Sequence, residues 1–193
     1  MEKFCAEAPN DEENLIAKVA IIMSTYCLGR RGEMAEFTFE EIAFIEDGKY
    51  KGCIQLTFLR SKQVGIGGFV TAVDGENQRY SVEKVTRMIG NPVACQFVKD
   101  YVEMVPYALR KGRFFRKLIW NEETESYRAC AKRFIGGNTL ANSTKIAAKW
   151  LKKENWACYT SQGLRALGAT TMAENGASEI EICMAGKNFI NLL

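Results

Sequence analysis

The 193 residues contain no histidine. That absence removes the imidazole general base, the Ser-His and Cys-His nucleophile pairs and any Cys/His zinc site from the chemistry open to this chain. Cysteine occurs seven times, at Cys5, Cys27, Cys53, Cys95, Cys130, Cys158 and Cys183, yet no two form a CxxC pair and the number is odd. Thiols spaced in this way fit small core residues in a reducing compartment better than a disulfide framework. No apolar run reaches the roughly 18 residues of a membrane-crossing helix, and the opening MEKFCAEAPNDEEN has neither a secretory nor an Arg-rich transit pattern. The expectation is a soluble, intracellular protein with no membrane partner, no metal and no cofactor.

What is present supports one packed core. Hydrophobic residues make up 47% of the chain, enough for a domain of this length without a partner. The net charge of +3 and pI of about 8.4 permit nucleic-acid binding, but lie below the pI of roughly 9 that marks an electrostatic DNA footprint.

Residues 1–11 read as a loose tail. Apolar residues then recur at helical spacing from Ile16 to Cys27, predicting a helix from about Glu13 to Leu28 that ends near Gly29, with a second short helix over Arg31 to Phe37. Ile42 to Glu46 and Cys53 to Leu59 are strand-like and flank the turn Asp47-Gly48-Lys49, and Phe69 to Val73 suggests a third strand. Asp74 to Gly90 reads as polar and irregular. Pro92, at a first helical position, opens a helix that Pro106 closes. Arg113 to Trp120 has no clear type, and the acidic loop Glu122, Glu123, Glu125 follows it. Asn138 reads as the N-cap of a helix through Lys153, Ser161 as the cap of the next, and Ser178 with Glu181 as a capping box for a last helix through Met184. The fold expected is mixed α+β, mainly helical with a small antiparallel sheet, in a single domain spanning 1–193.

Three stretches carry the functional reading. They are Tyr26-Cys27-Leu28-Gly29-Arg30-Arg31-Gly32-Glu33-Met34, then Ile135-Gly136-Gly137-Asn138-Thr139-Leu140, and finally Tyr159-Thr160-Ser161-Gln162-Gly163-Leu164-Arg165 running on to Ala177. In order and spacing they resemble the catalytic domain of tyrosine recombinases, the phage-integrase superfamily, and most closely its eukaryotic Crypton-type members. The resemblance implies a site in which two arginines fork onto one DNA phosphate while a lysine from the sheet protonates the leaving oxygen. Carried over by residue, the first arginine is Arg30, oriented by Glu33, with Arg31 the competing register. The lysine is Lys62 and the second arginine Arg165. Where the family has histidine this chain has Gln162, and Lys187 stands where histidine or tryptophan is expected. Glutamine holds a phosphate oxygen but moves no proton near neutral pH. The last tyrosine is Tyr159, so the position of the family's nucleophile is empty in these residues, and there is no room for the family's separate DNA-clamp domain.

Two further basic groups read as candidate DNA contacts, the run Arg110 to Lys117 with Arg113 and Arg116 among aromatics, and Lys145, Lys149, Lys152 and Lys153 along one helix, although both patterns also occur on ordinary solvated faces. The loop Gly65-Ile66-Gly67-Gly68 lacks the Lys-Ser/Thr of a phosphate-binding loop and reads as a sheet turn. The reading is therefore a catalytically inactive, recombinase-derived module on double-stranded DNA, nuclear and chromatin-associated, with self-association open. The alternatives are a protein-interaction scaffold on the same fold and a fragment of an active, strand-cleaving recombinase.

Overall fold

The computed structural model describes residues 2–63, 80–179 and 182. At its centre lies α2 (Glu12–Cys27), with 12 of its 16 residues buried. A helix apolar nearly all round has no solvent face and must be enclosed by other elements. Asp11 starts it by accepting the Asn14 N–H at 2.8 Å. It ends on Leu28, whose φ of +50° lies in the left-handed region, one residue before the glycine expected there. Burial accounts for a leucine in a glycine conformation, because its side chain is almost fully enclosed.

One face of α2 joins α4 (Pro92–Glu103) and two small antiparallel sheets, with Ile54, Leu56, Ile89, Phe114, Phe115 and Leu118 in a common core. In the first sheet, β1 (Ile42–Phe44) pairs with β2 (Ile54–Gln63), which pairs along its whole length with β3 (Tyr80–Ile89). The third strand thus falls in the stretch read as irregular. Its charges at Glu83, Lys84 and Arg87 break the alternation, and the ten-residue register with β2 makes it a strand. The Phe69 to Val73 strand and the Gly65 to Gly68 turn lie outside the described residues. The untyped Arg113 to Trp120 segment supplies β4 (Arg116–Asn121), and the acidic loop is the turn into β5 (Ser126–Phe134).

The other face of α2 is covered by α6 (Ser143–Trp150), α7 (Ser161–Glu174) and, against expectation, the N-terminus. Residues 2–11, read as part of a loose tail, pack on the domain. Glu2–Glu7 form α1, and Phe4 and Ala8 are buried with Ala17, Ile21, Ala147 and Leu164. Phe4 meets the Trp150 ring edge-on at 5.9 Å. The buried Lys18 ammonium fastens this segment by donating to the Ala8 carbonyl and, at 2.9 Å, to Asn10 Oδ1, beneath the Phe97 ring. Burial lowers its pKa, opposed by the charges of Cys5, Asp11 and Asp100.

The helix expected from Asn138 to Lys153 is two helices, α5 (Gly137–Ala141) and α6, broken at Asn142 in a run of side chains that compete for backbone hydrogen bonds. Gly136 rather than Asn138 is its N-cap, and Thr160 rather than Ser161 caps α7. The Ile182 N–H bonds the Ser178 carbonyl at 3.0 Å, one helical turn. The remainder of the last expected helix lies outside the described residues.

Tyr101 joins α4 to β4. Its enclosed hydroxyl accepts the Arg116 N–H at 2.6 Å and lies 3.0 Å from the Phe114 carbonyl and 3.3 Å from that of Arg116. Burial pushes the phenol's pKa upward against that N–H and the Arg116 charge, so the group stays neutral. Tyr101→Phe strands a buried amide and should remove about 1–3 kcal/mol of stability. A lower urea midpoint at unchanged m-value would record it; an unchanged midpoint would discount the bond.

Candidate nucleic-acid interface

Two of the expected residues are built around the end of α2. Arg30 is the N-cap of α3 (Arg31–Glu36), and its backbone N–H donates to Glu33 Oε2 at 2.8 Å. The Arg30 Nη1 stands 3.8 Å from Glu33 Oε1, with 29% of the arginine side chain and 10% of the glutamate exposed. One carboxylate therefore caps the helix and faces the guanidinium, the orienting role expected of Glu33. Arg31 goes elsewhere: its Nη1 donates to Asn138 Oδ1 at 3.2 Å, and its stem runs past Gly137.

Arg165 is half-buried on α7, and Gln162 is exposed in the same helix's first turn. Gly168 follows Arg165 by three residues, so the two share a helix face. A Cβ built on Gly168 would press on the Thr25 carbonyl oxygen and stand 2.6 Å from Leu28 Cδ2. The two backbones touch here because no side chain intervenes. Leu28 lies two residues before Arg30, so each arginine is within three residues, in sequence, of a residue in this α2–α7 contact. Lys62 occupies the penultimate position of β2, opposite Ser81. Lys187 lies outside the described residues.

The other expected contacts divide. Arg116 is a correction: only 4% exposed, it donates from Nη1 to the Ala131 carbonyl at 2.9 Å and from Nη2 to the Lys111 carbonyl at 3.0 Å. Its guanidinium lies 4.8 Å from the Phe134 ring centroid. It ties β4 to β5 and the preceding loop, so its terminal nitrogens are engaged within the fold. Arg113 is exposed, but its Nη2 lies 2.6 and 2.7 Å from the two Glu36 carboxylate oxygens. So open a pair contributes less than about 1 kcal/mol, and a phosphate can compete for it. Phe114 and Phe115, between them, face the core. Lys145 and Lys149 lie one turn apart on α6, partly and fully exposed.

Sequence reasoning missed Gly168, whose signal was a small residue one turn after Arg165. It also missed the exposed Trp156 and Tyr159 beside the α6 lysines, signalled by their three-residue spacing. A cavity of about 460 Å³ beside the C-terminal half of α4, lined by Lys51, Lys99, Arg110, Glu46 and Glu103, gave no signal, since its charges come from separate elements. Among the described residues no helix is long and apolar enough to cross a membrane.

Solved structures share this fold. The XerH site-specific recombinase, bound to its difH substrate in a pre-cleavage complex, superposes with a TM-score of 0.55 at 13% identity, over 97% of this chain and 45% of that one. The fold is that of a tyrosine-recombinase catalytic domain. The integrase of transposon Tn1549, in complex with a circular intermediate DNA, is similar with a TM-score of 0.52 at 11% identity, over 96% of this chain and 55% of that one. The chain thus spans about half the length of these recombinase structures. No protein-family pattern and no curated protein matches the sequence.

Proposed function

We propose that this recombinase-like domain holds duplex DNA by its backbone phosphates and does not cut it. The observation that supports the reading is the contact of Gly168, one turn after Arg165, with Thr25 and with Leu28, two residues before Arg30. Two guanidinium forks so placed suit the oxygens of one phosphate, with Lys62 at the end of β2 as a third cation. Both solved neighbours are DNA complexes, which supports the same partner. Inactivity rests on residue types: Gln162 in place of a proton-moving histidine and Lys187 in place of histidine or tryptophan. Phosphate contacts position a protein without reading sequence, so selectivity from this domain is modest. In this reading the Crypton-like motifs make the domain transposon-derived, nuclear and chromatin-associated.

Fluorescence anisotropy of a labelled random-sequence duplex over a salt series tests this. Arg165→Ala should weaken binding about tenfold or more, the worth of a charge-assisted hydrogen bond, and lower the slope of log K against log salt by about 0.9. Unchanged affinity and slope remove Arg165 from the interface. A second reading, a protein-interaction scaffold, draws on the Arg30–Glu33 pairing, in which the arginine already faces a carboxylate. No binding of wild type at low salt would favour that scaffold. Covalent trapping on a nicked suicide duplex would instead restore an active recombinase.

A further inference from the structure

The stretch from α5 to the end of α7 carries a charge out of proportion to the chain. Residues 137–174 hold five cations, Lys145, Lys149, Lys152, Lys153 and Arg165, against two carboxylates, Glu154 and Glu174, a net +3 that equals the net charge of the whole chain. After α6 the chain turns at Lys152, with φ +54°, and enters a single 3-10 turn, Trp156–Cys158. The Tyr159 N–H bonds the Trp156 carbonyl at 3.3 Å, and the Tyr159 carbonyl in turn accepts from Thr144 Oγ1 of α6 at 3.3 Å. The backbone carrying the two rings is thereby pinned to the body of the domain.

Trp156 opens this turn and Tyr159 is its C-cap, so the two aromatic residues stand one turn apart. Both are 41% exposed, and neither belongs to the two apolar clusters that form the core. Lys149 Nζ lies 5.8 Å from the Trp156 ring centroid, and Lys152 and Lys153 stand exposed just before the turn. Lysines alone suit the phosphates of any nucleic acid. Two rigid aromatic faces among them add something a closed duplex cannot use along its length, because its bases are already stacked and paired. Unpaired bases can stack on such rings, whatever their identity.

We infer that the surface formed by Lys149, Lys152, Lys153, Trp156 and Tyr159 seats unpaired bases of DNA, the rings stacking on the bases and the lysines meeting the adjoining phosphates. The inference deepens the phosphate-binding reading and rests on it. It makes gapped or frayed duplex the preferred partner over intact duplex.

The test compares, by anisotropy at low salt, the full chain on a blunt duplex and on the same duplex with a short central gap. Wild type should bind the gapped DNA about tenfold more tightly. Trp156→Ala with Tyr159→Ala should bring the gapped affinity down to the blunt value and leave the blunt value alone. Trp156→Phe should keep much of the preference. Lys152→Gln with Lys153→Gln, two exposed positions, should weaken gapped binding at an unchanged urea midpoint. Equal wild-type affinity for both DNAs overturns the base seat and leaves the phosphate reading standing, as does a gap preference that survives loss of both rings. Binding of neither DNA overturns both.

Discussion

Gly168→Ala should destabilise the domain by about 1–3 kcal/mol and weaken duplex binding about tenfold, although it alters neither arginine. The added methyl has nowhere to go. Its nearest neighbours are the Thr25 carbonyl oxygen and Leu28 Cδ2, and the first of these is backbone that no rotamer change can move aside. Relief requires α7 to shift away from α2, which, on the proposed phosphate reading, moves Arg165 relative to Arg30 and spoils the geometry that charge-assisted bonds of about 2.7–2.9 Å demand. Gly163→Ala supplies the control in the same helix. Nothing lies within 4 Å of its Cβ position, so the better helix former should leave stability unchanged or raise it by up to about 1 kcal/mol. Urea unfolding and anisotropy on both variants decide the matter. A Gly168→Ala protein as stable and as avid as wild type would mean the crossing does not hold the arginines in place.

That crossing shows where the sequence was legible and where it was not. Periodicity located α2 within one residue at each end, because its apolar positions repeat whichever neighbours cover them. Arg30 and Glu33 were legible as a pair for a similar reason: three residues apart at a helix start, they meet through local geometry alone. β3 and β5 were not legible, since Lys84, Arg87, Arg128 and Lys132 interrupt any alternation and only pairing with β2 and β4 extends the backbone. Nor was α1, a six-residue helix too short to stand alone, held by Phe4 and by a lysine that donates back to Ala8. Gly168 is the extreme case, because its importance lies in what α2 places opposite it.

Arg116 misled for a related reason, and its correction yields the larger stability effect. A basic residue among aromatics looks the same whether it faces solvent or core, and the β4 register decides which. The structure turns Arg116 inward, where its two terminal nitrogens donate to carbonyls of Ala131 and Lys111. Each is a charge-assisted bond of about 1.5–3 kcal/mol. Arg116→Ala should therefore cost about 3–5 kcal/mol, enough to leave much of a marginally stable domain unfolded. Arg116→Lys is the sharper experiment. A DNA contact needs positive charge, which lysine keeps, whereas a tie between two separated carbonyls needs the planar fork, which lysine lacks. Lysine should thus recover less than half of the lost stability, while the fraction that folds binds duplex as wild type does. Full recovery by lysine, together with a binding defect in the folded alanine variant, would return Arg116 to the DNA interface.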